Sequence, residues 1–267
     1  MNSPDGVSLA VYESGPAAGV PIVAIHGYPD HSAVWTGLAA ALPERRFVRY
    51  DVRGTGESDK PRRIADYRMP RLIDDLAAVL DAVSPEAPVH LVGHDWGSVQ
   101  GWAAVTSPRL AGRIASYTSI SGPSLDYARD WLRRGREHPR AALRQLAHSY
   151  YVALFQVPVL PELAIRRGLL ERAVDRDVPR TEADKINGIA LYRANLLRRG
   201  RPAPVPADVP VQLIVPRRDP FVTPALAIGS ARPWVENLTA HEVPAGHWVV
   251  SRQPDLVAGL LREFIGD

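Results

Sequence analysis

Short apolar segments alternate with segments of helical periodicity over residues 1–121, and this alternation restricts the fold more than any other feature. Short continuous apolar runs are typical of parallel strands buried on both faces. Strands that alternate with helices build a parallel sheet covered by helices on both sides. The sequence therefore predicts an α/β fold with a doubly wound, mostly parallel sheet. The predicted strands are Val7–Glu13, Pro21–Ile25, Phe47–Asp51, Val89–Gly93 and Ile114–Ile120, and the predicted helices are His31–Leu42, Arg68–Val83 and Trp96–Thr106.

The alternation stops at Gly122 and resumes after about Pro206. The intervening residues have helical periodicity and no convincing strand. Within them, Thr181–Asp184 has the pattern of a capping box that opens a helix running to Arg199. We therefore expect an α/β core of residues 1–121 and 207–267 interrupted by a helical cap of residues 122–206. The elements predicted after the proline-rich residues 201–206 are the strands Val211–Val215 and Leu238–Val243 and the helix Asp255–Ile265.

The composition excludes several kinds of site. The 267 residues include no cysteine, which excludes disulfides, a thiolate nucleophile and cysteine-ligated metals, and we expect no metal and no cofactor. The net charge of +3 is not accompanied by a nucleic-acid-binding motif. Residues 1–6 lack the pattern of a secretory signal, and no apolar run reaches the ~18 residues of a membrane span. We expect a cytoplasmic protein of undetermined oligomeric state.

The segment Gly93-His94-Asp95-Trp96-Gly97 follows a predicted strand and opens a predicted helix. This is the context of a nucleophile elbow, in which a tight turn exposes the middle side chain. A carboxylate at that position needs no base before it attacks, because it is already ionised near neutral pH. It is suited to displacing a leaving group from a saturated carbon, and the resulting ester must then be hydrolysed. Asp95 is the predicted nucleophile.

His247 and Asp219 follow later strands, in the chain order nucleophile, acid, histidine. We predict that His247 activates water and that Asp219 orients His247. The segment His26-Gly27-Tyr28-Pro29 follows the strand Pro21–Ile25, where a loop can supply a backbone N–H to an oxyanion hole. The predicted oxyanion donors are the amides of Tyr28 and Trp96, with His26, Gly27 and Pro29 supporting that loop. His94 is predicted to be a packing residue rather than a base.

These motifs resemble the epoxide hydrolase branch of the α/β-hydrolase superfamily over the whole chain. The resemblance rests on residues 26–29, 51–61, 93–97 and 246–248. Through residues 120–123 and 150–156 the chain is especially similar to the hydrolase half of actinobacterial epoxide hydrolase/short-chain dehydrogenase fusions. It implies an inserted cap whose two tyrosines, here Tyr151 and Tyr192, hold the epoxide oxygen. The residue before Tyr192 departs from the family in being Leu191 rather than an aromatic. Tyr150 and Tyr127 are nearby alternatives.

The expected activity is hydrolysis of a small-molecule epoxide by water to a vicinal diol through an ester of Asp95. A haloalkane or haloacid dehalogenase with the same Asp95, His247 and Asp219 is the alternative, although Tyr28 occupies the position of the halide-binding asparagine of many dehalogenases. A third hypothesis is a catalytically idle binding protein. Residues 123–205 hold 16 Arg and Lys against 9 Asp and Glu, which leaves open an anionic substrate; we expect the arginine pairs 133–134, 166–167 and 198–199 to lie on solvated faces near helix C-termini.

Overall fold

A seven-stranded sheet forms the centre of the computed structural model, which describes residues 1–169, 178–196 and 203–266. The strand order is β1-β3-β2-β4-β5-β6-β7; β1 runs antiparallel to β3, and every other neighbouring pair is parallel. This confirms the predicted mostly parallel sheet. The strands are β1 Val11–Ser14, β2 Ile22–Ile25, β3 Phe47–Tyr50, β4 Val89–His94, β5 Ile114–Ile120, β6 Val211–Pro216 and β7 Leu238–Val243.

Helices cover both faces of the sheet, as a doubly wound fold requires. In β2 the buried side chains of Ile22 and Ala24 join one apolar core, whereas those of Val23 and Ile25 join another. Strand residues therefore point alternately to two buried faces, which is why their sequences are apolar throughout. The helices are α1 Thr36–Ala41, α2 Met69–Val83, α3 Trp96–Val105, α4 Leu125–Arg133, α5 Pro139–His148, α6 Tyr150–Gln156, α7 Leu160–Arg166, α8 Glu182–Asn195, α9 Pro224–Ala231, α10 Val249–Arg252 and α11 Pro254–Ile265.

Helices α4 to α8 lie between β5 and β6, and the described residues of this segment include no strand. We call these described residues the helical insertion. The capping box predicted at α8 is present, since the Thr181 hydroxyl accepts from the Asp184 amide at 3.1 Å and the Asp184 carboxylate accepts from the Thr181 amide at 2.9 Å. Arg199, where α8 was expected to end, the Arg198–Arg199 pair and part of the proline-rich linker lie outside the described residues. The division into core and cap stays a prediction.

The first strand begins later than its alternating pattern predicts, at Val11 rather than Val7. Side chains of the loop after β3 explain the difference, because Asp59 accepts from the Ser8 amide and Ser58 accepts from the Ala10 amide. The backbone ahead of Val11 is therefore held by these side chains, by an isolated bridge between Asn2 and Ser8 and by single backbone hydrogen bonds rather than by a continuous strand pairing. None of the described helices is both long enough and apolar enough to cross a lipid bilayer.

Candidate active site

Asp95 lies in the turn between β4 and α3 with φ 53° and ψ −118°, a backbone conformation that side-chain-bearing residues rarely adopt. The turn is tight because α3 approaches β2 closely; a Cβ at Gly97 would lie 1.9 Å from the carbonyl oxygen of Ile25. Only glycine fits there. The strained turn directs the Asp95 side chain to the carboxyl edge of the sheet, where ligands bind in open α/β folds.

The loop after β2 binds one oxygen of this carboxylate. The Tyr28 amide donates to Asp95 Oδ1 at 2.6 Å, and the Trp96 amide also hydrogen-bonds to the carboxylate. A Cβ at Gly27 would lie 2.4 Å from Asp95 Oδ1, so the loop approaches this closely only because Gly27 has no side chain. Both amides predicted for the oxyanion hole therefore converge on the Asp95 carboxylate, and Oδ1, which accepts from the Tyr28 amide, would become the carbonyl oxygen of an Asp95 ester.

His26 holds the same loop from beneath. Its Nε2 accepts from the Val52 amide at 2.9 Å, and its Nδ1 donates to the carbonyl oxygen of Gly27 at 3.0 Å. Burial lowers the pKa of His26, which keeps the ring neutral and suits it to accept at one nitrogen and donate at the other. Pro29, the last residue of the motif, lines the cavity above Asp95.

His247 and Asp219 form a hydrogen-bonded pair beside Asp95. His247 Nδ1 lies 2.9 Å from Asp219 Oδ2, and His247 Nε2 lies 3.7 Å from Asp95 Oδ2. The second carboxylate oxygen of Asp219 accepts from the amides of Phe221 at 2.8 Å and Val222 at 3.2 Å, which orients the acid. With Nδ1–H donated to Asp219, Nε2 is the ring nitrogen that faces Asp95. The structure thus brings together the three side chains that the sequence singled out.

The surroundings shift the pKa values of two of these groups. Burial raises the pKa of Asp95 to about 6, even though the charge of His247 and the two amide hydrogen bonds oppose the rise. Burial alone would lower the pKa of His247, but the charge and hydrogen bond of Asp219 and the charge of Asp95 outweigh it, so the pKa is raised above its usual value. A carboxyl group and an imidazole in one cleft, both with pKa values raised above their usual range, are typical of catalytic sites.

His94 packs beneath His247, as predicted. Burial and the nearby charge of His247 lower the pKa of His94 to about 3, so its ring is neutral. Its Nε2 lies 2.9 Å from the carbonyl oxygen of His247, and the two rings are 4.8 Å apart. The neutral ring donates to that carbonyl and holds the backbone of the catalytic loop.

Tyr151 and Tyr192 face Asp95 from the helical insertion. Burial and then the charge of Asp95 raise the pKa of Tyr151, and burial, Tyr151 and Asp95 raise that of Tyr192, so both phenols remain protonated donors. Their ring centroids are 6.0 Å apart, and the two hydroxyls are within hydrogen-bonding reach of each other. Of the two alternatives, Tyr150 is 73% exposed at the cavity mouth, and the Tyr127 hydroxyl donates elsewhere, to the Val205 carbonyl at 2.6 Å.

A cavity of about 300 Å³ lies between these tyrosines and Asp95. Its described lining is apolar and aromatic except for Asp95, His247 and the tyrosine hydroxyls, and it includes no arginine or lysine. A neutral, apolar ligand fits such a lining. The arginine pairs 133–134 and 166–167 lie at the C-terminal ends of α4 and α7 and outside the cavity, as expected. Phe155, Ile165, Phe221 and Trp248 form much of the wall.

Sequence reasoning missed two groups of residues that position the site. Buried Asp30, directly after the 26–29 motif, accepts from Arg180 Nε of the insertion at 2.6 Å and from the Trp248 indole at 3.1 Å. Gln145 of α5 accepts from the Thr223 amide and donates to the Phe221 carbonyl, both at 2.9 Å, which ties the loop of Asp219 to the insertion. Asp30 directly follows the 26–29 motif, so its position could have suggested a role in the site. Gln145 is an isolated glutamine on a helix, and nothing in the sequence indicates that it contacts the Asp219 loop.

Among the described residues, no group of three or more His, Cys, Asp and Glu side chains is arranged to hold a metal ion. The site therefore consists of a strained Asp95, a His247–Asp219 pair, two converging amides, and the phenols of buried Tyr192 and half-buried Tyr151 in an apolar cavity. This combination can carry a nucleophile, a base for water and a donor for a leaving oxygen.

Residues 20–252 match the family model described as alpha/beta hydrolase fold. Probable oxidoreductase EphD of Mycobacterium tuberculosis is 39% identical over 289 residues, covering 99% of this chain and 48% of that protein. Epoxide hydrolase A of the same organism is 32% identical over 190 residues, covering 69% of this chain and 53% of the relative. The chain thus spans about half the length of these relatives. A solved structure from a study of novel epoxide hydrolases in metagenomes from hot environments superposes with a TM-score of 0.83 at 23% identity, covering 99% of this chain and 97% of the other, a likeness of fold.

Proposed function

Because this chain belongs to the α/β-hydrolase fold family and is a hydrolase with epoxide hydrolases among its relatives, we propose that it opens epoxides to vicinal diols through an ester of Asp95. The observation that carries the proposal is a pair of protonated phenols, half-buried Tyr151 and buried Tyr192, that line the same cavity as a carboxylate nucleophile. The described insertion residues act as the cap that brings these phenols to the site.

In the first step Asp95 Oδ2 attacks one epoxide carbon and the carbon–oxygen bond of the ring breaks. The electron pair of that bond remains on the ring oxygen, which receives a proton from Tyr151 or Tyr192. A phenol suits this role because it donates without first being ionised. The product is an alkyl ester of Asp95 that carries a neighbouring hydroxyl group. Oδ1, bound by the Tyr28 amide, is its carbonyl oxygen.

In the second step His247 Nε2 takes a proton from water, and the hydroxide formed attacks the ester carbon of Asp95. The Tyr28 and Trp96 amides stabilise the negative oxygen of the tetrahedral intermediate. Collapse of the intermediate releases the diol alkoxide, which is protonated by His247, and leaves Asp95 as a carboxylic acid. The tyrosinate formed in the first step takes the proton of that acid, which restores both the phenol and the Asp95 carboxylate. Asp219 stabilises the imidazolium that forms in between, through the 2.9 Å hydrogen bond to Nδ1.

The proposal is tested with styrene oxide and intact-protein mass spectrometry. Asp95→Ala should abolish diol formation, whereas His247→Gln should still form the ester but hydrolyse it slowly, so that the protein gains the mass of one substrate at Asp95. Asp95→Asn is a poorer test, because slow hydrolysis of the amide would regenerate the nucleophile. An active wild-type enzyme whose His247→Gln variant never gains mass at Asp95 would contradict the covalent mechanism.

The tyrosines are tested with a matched control from the same helix. Tyr151→Phe with Tyr192→Phe should lower the rate of ring opening by at least ~10²-fold, the lower end of the usual contribution of a general acid. Tyr150→Phe, an exposed neighbour at the cavity mouth, should leave that rate nearly unchanged. Equal rates in the double variant and in wild type would refute the role of the two phenols.

The same experiments separate the two other hypotheses. The Trp96 indole is within hydrogen-bonding reach of the Tyr192 hydroxyl, which leaves it less available to a halide. Release of halide from bromoalkanes without diol formation from epoxides would nevertheless favour a dehalogenase. No turnover of either substrate class, together with no mass added at Asp95, would favour the idle binding protein.

A further inference from the structure

The outer surface of the helical insertion is unusually apolar. Nine of the fourteen exposed large hydrophobic side chains among the described residues lie within residues 143–169. We call the exposed apolar surface of α5, α6 and α7 the insertion patch. Helices α5 and α6 pack against each other, as do α6 and α7, so the patch is continuous. Its main members are Leu143, Leu146, Tyr150, Leu154, Val159 and Leu163.

Helix α5 is apolar on its outward side as well as its inward side. Ala142 and buried Gln145 face the core, whereas Leu143 and Leu146 are 68% and 55% exposed. The exposed apolar surface continues in α6, where Tyr150 and Leu154 are four positions apart and both exposed. Contiguous exposed apolar surface is unfavourable in water and marks a surface that another partner covers.

The insertion patch surrounds the opening of the active-site cavity. Tyr150 and Leu154 belong to the patch and also line the cavity. A ligand that enters beside them passes directly from the patch to Asp95. Because the cavity is lined by apolar and aromatic side chains, that ligand is itself apolar and is concentrated where other apolar molecules are.

Exposed arginines border the insertion patch. Arg136, Arg140, Arg144 and Arg167 are exposed and make no ion pair with any described residue. Of the two acidic side chains in the described residues 136–169, Glu162 is paired with Arg193 and only Glu137 is exposed. An apolar centre with a cationic border is the pattern of helices that lie on anionic lipid surfaces.

We propose that the insertion patch docks on an anionic lipid surface, so that apolar substrates enter the cavity from the lipid. The exposed arginines around the patch favour an anionic lipid surface over a second copy of the chain. If two copies met through this patch, their arginines would face and repel each other. The cavity mouth inside the patch selects lipid over an acidic protein, because only lipid supplies apolar molecules at that opening.

Docking is measured by sedimentation of the full chain with vesicles of phosphatidylcholine alone or with about 30% phosphatidylglycerol. Vesicle binding requires no catalysis, so its outcome is independent of the proposed epoxide chemistry. Binding should be strong to the anionic vesicles, weak to the neutral ones and reduced by salt. Each arginine near an anionic surface contributes about 1 kcal/mol, so Arg140→Gln with Arg144→Gln should weaken binding by at least tenfold.

Two matched controls separate docking from the general attraction of a basic protein to anions. Arg62→Gln with Arg63→Gln removes two exposed arginines outside the patch and should weaken binding much less. Leu143→Ser with Leu146→Ser should weaken binding by tenfold or more, whereas Val20→Ser with Ile64→Ser, two exposed apolar residues elsewhere, should not. Neither leucine lines the cavity, so the Leu143/Leu146 variant should turn over dissolved styrene oxide at the wild-type rate.

Three results would overturn the proposal. The first is an absence of binding to the anionic vesicles. The second is binding that falls equally in the patch variants and in their controls. The third is a wild-type dimer in sedimentation velocity that dissociates in the Leu143/Leu146 variant, since a second copy would then occupy the patch.

Discussion

Asp95 must be a carboxylate to act as a nucleophile, yet burial raises its pKa to about 6. The charge of His247 and the amides of Tyr28 and Trp96 oppose this rise, and without them the pKa of Asp95 would be higher still. In the proposed mechanism the same two amides serve twice: they favour the ionised form of Asp95 before attack and stabilise the oxyanion afterwards. A single carboxylate in a strained turn can do both because its two oxygens have different neighbours.

The raised pKa predicts the pH dependence of ester formation. Protonation of Asp95 removes the nucleophile, so the rate of ester formation should fall as the pH is lowered through about 6, by about tenfold per pH unit well below that value. The charged His247 holds the Asp95 pKa down, so in His247→Gln this fall should begin at a higher pH than in wild type. Rapid-quench measurement of the ester in both proteins gives the two profiles. A fall at the same or a lower pH in the variant would show that His247 does not influence Asp95.

At the scale of secondary structure, α8 is attached to the core at both ends, whereas α6 depends on α8. At the first end Asp184 accepts from the Gly56 amide at 2.9 Å, and at the other Asn195 accepts from the Met69 amide at 2.8 Å. Arg193 of α8 in turn donates to the Phe155 carbonyl of α6 at 2.9 Å. Tyr192 is therefore held firmly relative to Asp95, and Tyr151 is positioned through it.

Removing the buried carboxylate of Asp184 should destabilise the protein and loosen α8. Asp184→Ala leaves the amides of Thr181 and Gly56 without their acceptor, which should lower the free energy of unfolding by about 2 kcal/mol. The control is Glu182→Ala, an exposed carboxylate on the same turn, which should change it by less than about 0.5 kcal/mol. Urea denaturation compares the variants. Equal stability of the two would contradict an anchoring role for Asp184.

At the scale of the whole molecule, charge and apolar surface are separated in the insertion. Arginines occupy the outside, whereas the described cavity lining has none, and Asp95 and Asp219 lie at its base. The excess of basic residues in 123–205 therefore does not make the cavity a site for anions. A carboxylate carried into it would lose its hydration without gaining an arginine or lysine partner from the described lining, while Asp95 and Asp219 already share the charge of His247.

Substrate preference should follow from this separation. The methyl ester of an epoxy fatty acid should have a kcat/KM at least ~10-fold above that of the free acid, because only the acid brings a charge into the apolar cavity. Leu154→Arg, at the cavity mouth, should reduce the difference in kcat/KM between the methyl ester and the free acid, because the arginine can pair with the carboxylate of the acid. Competition between the two substrates with chromatography of the diols gives the ratio directly. A preference for the free acid in wild type would contradict an uncharged binding site.

Elements with a strong local signal were predicted from the sequence with small errors at their ends. The strand Ile114–Ile120 and the opening of α8 agree with the structure, and the mostly parallel sheet and the resemblance to epoxide hydrolases are confirmed. The order of Asp95, Asp219 and His247 along the chain was enough to propose a site, because the carboxyl ends of parallel strands meet at one edge. Their catalytic roles and the core and cap boundaries stay predictions.

Other features depend on contacts between residues far apart in the chain, where sequence periodicity carries no signal. The link from Asp30 to Arg180, the hold of Gln145 on the Asp219 loop and the late start of β1 all arise in this way. The sequence by itself was enough to predict the chemistry, since the residue types and their order after the strands indicate a nucleophile, a base and an acid. Only the tertiary structure decided the pKa of Asp95, the absence of arginine and lysine from the described cavity lining and the outward apolar surface of the insertion, because each depends on which groups lie together after folding.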